Sequence, residues 1–239
     1  MPYPTNLDRW GISEELWSFV EEMPYERRPI LAFVREVADS LPPGATVLDV
    51  GAGDAPYREL FDRCEYLTSD WTGSGHEWAA EADIVAPANA LPLDDASVDA
   101  VLLTQVLEHV PDPAAVLSEV ARVLRPGGGV FVTVPFVWEL HELPFDFWRF
   151  TPSSLERLLV AAGFGGVAIE PRNDCFTTIA QLMRNVGSAM GRAPDQHDAE
   201  RDAAAELLEQ LADRFAALAP LDVNSILPLG WTVRACRAQ

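Results

Sequence analysis

Four residues carry the first chemical suggestion in this chain: Asp49, Gly51, Gly53 and Asp70. The first three lie in Val47-Leu48-Asp49-Val50-Gly51-Ala52-Gly53-Asp54, where an apolar strand passes straight into a G-x-G turn. Glycine lets the backbone approach a ligand at the carboxyl end of a strand, which is where open α/β sheets bind nucleotides. Pro56 stands where the dinucleotide fingerprint would carry its third glycine. That argues against a pyrophosphate seated on a helix N-terminus, and so against an NAD-dependent oxidoreductase. Asp70 ends the second strand about twenty residues on, where an acid can accept from both ribose hydroxyls. The ligand reads as a nucleoside without phosphates.

A second group of reactive side chains falls between Trp138 and Thr151, where aromatics are mixed with His141, Glu142, Asp146 and Arg149. The ordinary imidazole pKa of about 6.5 suits His141 to accept a proton near neutral pH; a structural hydrogen bond is its other reading. Asp146 and Arg149 either contact an acceptor or pair to brace the loop. His109 opens a helical turn in Leu107-Glu108-His109-Val110 and reads as positioning rather than reacting. Cys64, Cys175 and Cys236 lie far apart with no C-x-x-C pair, so neither a disulfide framework nor a metal site is expected.

Positioning these groups requires a scaffold of alternating elements. Apolar side chains at helical spacing over 13–40 are interrupted at Met23-Pro24, which predicts two N-terminal helices. After Pro42-Pro43-Gly44 the pattern alternates: strand 46–50, helix from about 55, strand 65–69, short strand 83–85, strand 98–103 and helix 112–124. Arg125-Pro126-Gly127-Gly128 then stops that helix before strand 130–134, and helix 152–162 precedes strand 166–170. Such alternation predicts a parallel sheet covered by helices on both faces. Residues 171–222 are helical and acidic, interrupted at 187–194, and come before a last strand at 231–236. They read as an insertion over the ligand crevice, with packing or a homodimer contact left open. The expected organisation is one domain over 1–239: an N-terminal helical cap (1–43), a cofactor-binding core (44–170), the insertion (171–222) and the last strand (223–239).

Composition narrows the partners. The formal charge of −20, from 37 acidic against 17 basic side chains, repels phosphate backbones and anionic lipid, so neither nucleic acid nor membrane is expected. No run approaches the ~18 apolar residues of a membrane helix, and no secretory leader is visible, which with the sparse cysteines predicts a cytoplasmic protein.

In order along the chain these segments resemble the class I S-adenosylmethionine-dependent methyltransferases, specifically the methyltransferase type 11-like family. VLDVGAGDAPY is similar to that family's first motif, and Asp70 to its ribose-binding acid. DIVAPANALPLDDASVDAVLLTQVLEHV resembles the adenine and methionine motifs, and LRPGGGVFVTVP the loop and fifth strand. The resemblance implies a Rossmann-like α/β fold, with a mostly parallel seven-stranded sheet whose last strand is antiparallel. It implies S-adenosyl-L-methionine as cofactor, held by Asp49, Gly51, Ala52, Gly53, Tyr57, Asp70, Trp71, Ala88, Asn89, Thr104, Gln105 and Val106. Many relatives place an aspartate four residues before the Leu91-Pro92 pair; here that position is Pro87, which leaves adenine to groups near Ala88 and Asn89 and to Trp71.

The 138–151 segment resembles the H-x-x-P-x-D-x-x-R-x-T loop of methyltransferases of glycan or secondary-metabolite biosynthesis. It implies a small-molecule acceptor near His109, Trp138, Asp146 and Arg149, with His141 catalytic. Relatives of this fold also catalyse cyclisation or other alkyl transfer, or serve as non-catalytic cofactor-binding partner subunits, and both alternatives stay open.

Overall fold

The alternation of apolar strands and amphipathic helices is realised in a computed structural model, which describes residues 6–74, 77–191, 199–222 and 226–239. The parts of the expected segments at 1–5, 192–198 and 223–225 lie outside the described residues. The strands are β1 (Thr46–Val50), β2 (Glu65–Asp70), β3 (Ile84–Val85), β4 (Val98–Thr104), β5 (Leu124–Pro135), β6 (Phe164–Arg172) and β7 (Gly230–Arg237). They form one seven-stranded sheet among the described residues, in the order β3-β2-β1-β4-β5-β7-β6. Neighbours from β3 to β5 pair in parallel, and β7 runs antiparallel to both β5 and β6. This is the Rossmann-like architecture expected, with the strand order reversing between β1 and β4.

Side-chain alternation along the strands divides the core into two layers. Leu48, Val50, Val101 and Leu103 pack with α3 (Pro113–Val123) and α4 (Pro152–Ala161) through Val116, Leu117, Leu155 and Leu159. Val47, Ala100 and Leu102 face the other way, onto α1 (Glu14–Glu22) and α2 (Pro24–Ser40) through Leu16, Val20, Val34 and Val37. Proline at Pro24 begins α2, where its missing N–H costs nothing.

Two local expectations are corrected. The helix expected from about 55 is only a 3-10 turn, Arg58–Phe61. Ala55 adopts a left-handed φ of +52°, and the chain must reach β2 at Glu65 with Tyr57 and Phe61 both buried, so little of it can coil further. The fifth strand begins at Leu124 rather than Val130: Leu124 already pairs with Val98, and the glycine-rich run is a bulge in the ladder before Gly129 pairs with Ala100.

The 171–222 region forms α5 (Cys175–Gly191), which continues through Gly187, and α6 (Ala199–Ala216). They pack on each other and on α2 through Tyr25, Ala180 and Ala212, with Arg184 bonded to Asp213 at 2.7 Å. No described helix is long and apolar enough to cross a membrane.

Candidate active site

The carboxyl ends of β1, β2 and β4 open onto two adjoining cavities. The larger, of about 600 Å³, is lined by Gly51, Gly53, Asp70, Trp71, Ala88, Asn89, Gln105, Val106 and His109, together with Pro87, Glu142 and Phe145. The smaller, about 280 Å³, is lined by Ala52, Tyr57, Thr104, Trp138 and His141, and shares Gly51, Gly53, Gln105, His109 and Glu142 with its neighbour.

The turn after β1 has the backbone that its glycines allow: φ is +68° at Gly51 and +59° at Gly53, in the left-handed region. Gly51 and Ala52 both donate to the Ser69 carbonyl, at 2.8 and 3.1 Å, which ties the turn to the end of β2. Asp70 is held by the same turn: Oδ2 accepts from the Gly53 N–H at 2.9 Å and Oδ1 from the Trp71 N–H at 2.6 Å. Each carboxylate oxygen has a further lone pair for a hydroxyl in the cavity. The Trp71 indole is half exposed and meets Phe145 edge-on at 5.9 Å, so two aromatic rings flank the larger cavity.

Asp49 lines neither cavity. It is buried beneath the turn and accepts from the Tyr66 hydroxyl. Burial pushes its carboxyl up to about 7, the Tyr66 hydroxyl opposing this and the nearby Asp70 charge adding to it. Tyr57 is also buried, packed edge-on against Phe19, and its phenol is raised above the ordinary range by desolvation.

The 138–149 loop is braced internally. Arg149 Nη1 donates to Asp146 Oδ1 at 2.6 Å and Nη2 to Asp146 Oδ2 at 2.9 Å and to the Glu139 carbonyl at 2.8 Å. These bonds, those to Arg149 foremost, hold the Asp146 carboxyl down at about 2. Neither residue lines a cavity; what they do is position the backbone that presents His141, whose N–H donates to Asp146 Oδ2 at 3.0 Å. Outside the loop, Asn185 on α5 donates to Glu139 Oε2 at 2.5 Å. No described residue of 171–222 lines either cavity.

His109 and His141 meet ring against ring, centroids 4.7 Å apart. His109 Nδ1 bonds the Phe145 carbonyl at 2.8 Å, which places the proton on Nδ1 and leaves a lone pair on Nε2. Burial lowers its pKa, favouring that neutral form. His109 Nε2 lies 3.9 Å from Glu108 Oε1 and 3.8 Å from Glu142 Oε2.

Residues 48–132 match the family model described as "Methyltransferase domain". Over residues 48–132 this chain thus matches a methyltransferase domain, set in a seven-stranded Rossmann-like sheet. An uncharacterised methyltransferase of Mycobacterium sp. (strain JLS) is 40% identical over 97 residues, 38% of each chain. The match thus spans about two fifths of that curated relative's length. A solved S-adenosylmethionine-dependent methyltransferase from Archaeoglobus fulgidus superposes with TM-score 0.56 at 18% identity, covering 92% of this chain and 100% of that one. The [4+2]-cyclase SpnF superposes with TM-score 0.57 at 18% identity, covering 89% and 82%. These structures share the fold of the methyltransferase domain.

Sequence reasoning missed one wall of the domain's smaller cavity. Phe19, Met23, Glu26, Arg27 and Ile30 come from α1, α2 and the junction between them, whose apolar spacing reads only as core. Glu108 falls in the segment that resembles the methionine motif, but its burial was not expected. Glu108 is fully buried and neither carboxylate oxygen has a hydrogen-bond partner, a state no local sequence signal announces.

Proposed function

We propose that this chain methylates a small-molecule acceptor, with S-adenosylmethionine in the larger cavity and the acceptor entering from the smaller. The observation that carries the reading is the Gly51–Gly53 turn clamped to Asp70, at the mouth of a cavity within the ~300–1,000 Å³ range of small-ligand sites. The residues suit a nucleoside carrying an amino acid. Asp70 offers acceptors to the ribose, Trp71 and Pro87 to Asn89 offer a surface for the base, and Gln105 and Val106 border the methionine end. Bound there, the cofactor supplies an electrophilic methyl group, leaving alignment and the fate of the acceptor proton to the protein.

The smaller cavity combines the apolar Phe19, Met23 and Trp138 with Arg27, His141 and Glu142, which fits a compact polar acceptor and not a duplex. The net charge of −20 supports the same choice. His141, held by Glu139 and Asp146, is the residue we assign to take the acceptor's proton, and His109, Trp138 and Glu142 position the acceptor. The Asp146–Arg149 pair supports the loop. In this reading α5 and α6 close the site indirectly, by holding the loop through Asn185. Three unpaired cysteines suit a reducing, cytoplasmic setting, and a biosynthetic role in glycan or secondary metabolism is consistent with the loop sequence.

Calorimetric titration with S-adenosylhomocysteine tests the reading. Micromolar binding, weakened at least about 30-fold by Asp70→Ala as hydrogen bonds to a charged acceptor are lost, is the expected result, with no heat on adding NAD. Binding of NAD in preference, or affinity indifferent to Asp70→Ala, would overturn it.

A further inference from the structure

We propose that Glu108, His109 and His141 form a binding site for a divalent transition-metal ion at the seam of the two cavities. One ligand atom from each, a carboxylate oxygen and two ring nitrogens, lies within 4.8 Å of the other two. Around an ion with bonds of about 2.0–2.2 Å, neighbouring ligand atoms stand roughly 3–4 Å apart, so closing the set needs shifts of under about 1 Å.

Three independent features favour a cation here. Glu108 is 0% exposed, with neither oxygen partnered, and such a carboxylate is costly unless it is protonated or faces a positive charge. Both histidines already have Nδ1 at a backbone carbonyl, His109 with Phe145 at 2.8 Å and His141 with Glu139 at 3.2 Å. For His109 that is the outer contact that fixes the tautomer of metal-binding imidazoles and leaves Nε2 its lone pair; His141 Nδ1 also lies 3.4 Å from Arg149 Nη2. Beyond them Glu142 Oε2, 3.8 Å from His109 Nε2, stands where it can add a second carboxylate. Asp146, 3.4 Å from His141 Nδ1, extends the outer contacts.

Two imidazoles with one or two carboxylates select first-row transition ions such as Zn²⁺ or Mn²⁺ over Mg²⁺ and Ca²⁺, which prefer oxygen ligands throughout. His109 and Glu142 line both cavities, so the remaining coordination positions face the space assigned to the acceptor. The ligand class that fits is a chelating oxygen acceptor, with a hydroxyl beside a second oxygen donor. This acceptor class rests on the methyl-transfer reading; the ion site itself does not. With the ion bound, the His141 lone pair is used in ligation, so its part as base belongs to the ion-free chain; the expectation that no metal is bound is revised.

The test uses the full chain, untagged and stripped with chelator, titrated separately with Zn²⁺, Mn²⁺ and Mg²⁺, together with the visible spectrum after adding Co²⁺. The expected result is one Zn²⁺ or Mn²⁺ per chain at micromolar affinity with Mg²⁺ far weaker, and a Co²⁺ spectrum of nitrogen and oxygen ligation. Glu108→Gln and His141→Ala should each weaken the ion at least 30-fold, while S-adenosylhomocysteine binding stays within about threefold and reports an intact fold. Affinity no better than millimolar, or micromolar affinity unchanged in both variants, would overturn the proposal. Absence of S-adenosylhomocysteine binding with the ion still bound counts against the cofactor reading alone, and thermal unfolding then reports the fold of the variants.

Discussion

Gly51 faces Val106 so closely that a methyl group built on Gly51 would stand 2.7 Å from Val106 Cγ2. The contact joins the turn after β1 to the segment after β4 across the floor of the larger cavity, and it leaves no room for a side chain.

Gly51→Ala should therefore cost stability and affinity together. A left-handed φ of +68° is unfavourable for alanine by about 1–2 kcal/mol, and overpacking against Val106 adds about 1–3 kcal/mol. Urea unfolding should register the combined loss, and S-adenosylhomocysteine affinity measured under folding conditions should drop at least about tenfold. Wild-type affinity in this variant would separate the turn from the ligand.

The buried Asp49 carboxyl should make stability depend on pH. Its native pKa of about 7 lies above the ordinary carboxylate value, so between those limits the native state holds a proton that the unfolded chain has released. Its contribution is complete below pH ~4 and is lost as pH rises through 7, by at most about 4 kcal/mol for a three-unit shift. Asp49→Asn, which keeps an acceptor for Tyr66, should flatten the stability profile between pH 4 and 7. It should also leave the variant more stable than wild type at pH 8. A slope equal to that of wild type by denaturant titration across this range would refute the assignment.

Arg149 should prove structural and specific to arginine. Its guanidinium spans both oxygens of Asp146 and reaches the Glu139 carbonyl, a fork that the point charge of lysine cannot reproduce. Both Arg149→Lys and Arg149→Ala should accelerate amide hydrogen exchange across 138–149 and lower stability by about 1–3 kcal/mol, since the buried Asp146 loses its partner. With cofactor affinity unchanged, the effect is confined to the loop. Rescue by lysine would point instead to a simple charge effect on a ligand.

The glycine turn, the strand ends and Asp70 could be read from residues because they depend on local rules. Left-handed backbone selects glycine, buried parallel strands require apolar runs, and an acid at the end of β2 is fixed by spacing from β1. The same rules located the strands to within a few residues, except where bulge pairing extended β5 back to Leu124. They could not foresee that Asp49 and Tyr57 would be buried beneath the turn, because strand alternation fixes a face but not what covers it. Nor could they show α2 supplying Glu26 and Arg27 to the smaller cavity, since an apolar stripe looks alike whether it faces core or cleft. The meeting of Glu108, His109 and His141 was decided by tertiary structure alone. Glu108 and His109 sit in the turn after β4 and His141 in a loop beyond β5, and parallel pairing of those two strands brings their ends to one edge of the sheet. What sequence determined was the type of scaffold and the ligand its local turns can accept; which distant side chains meet at one place followed only from the packing of that scaffold.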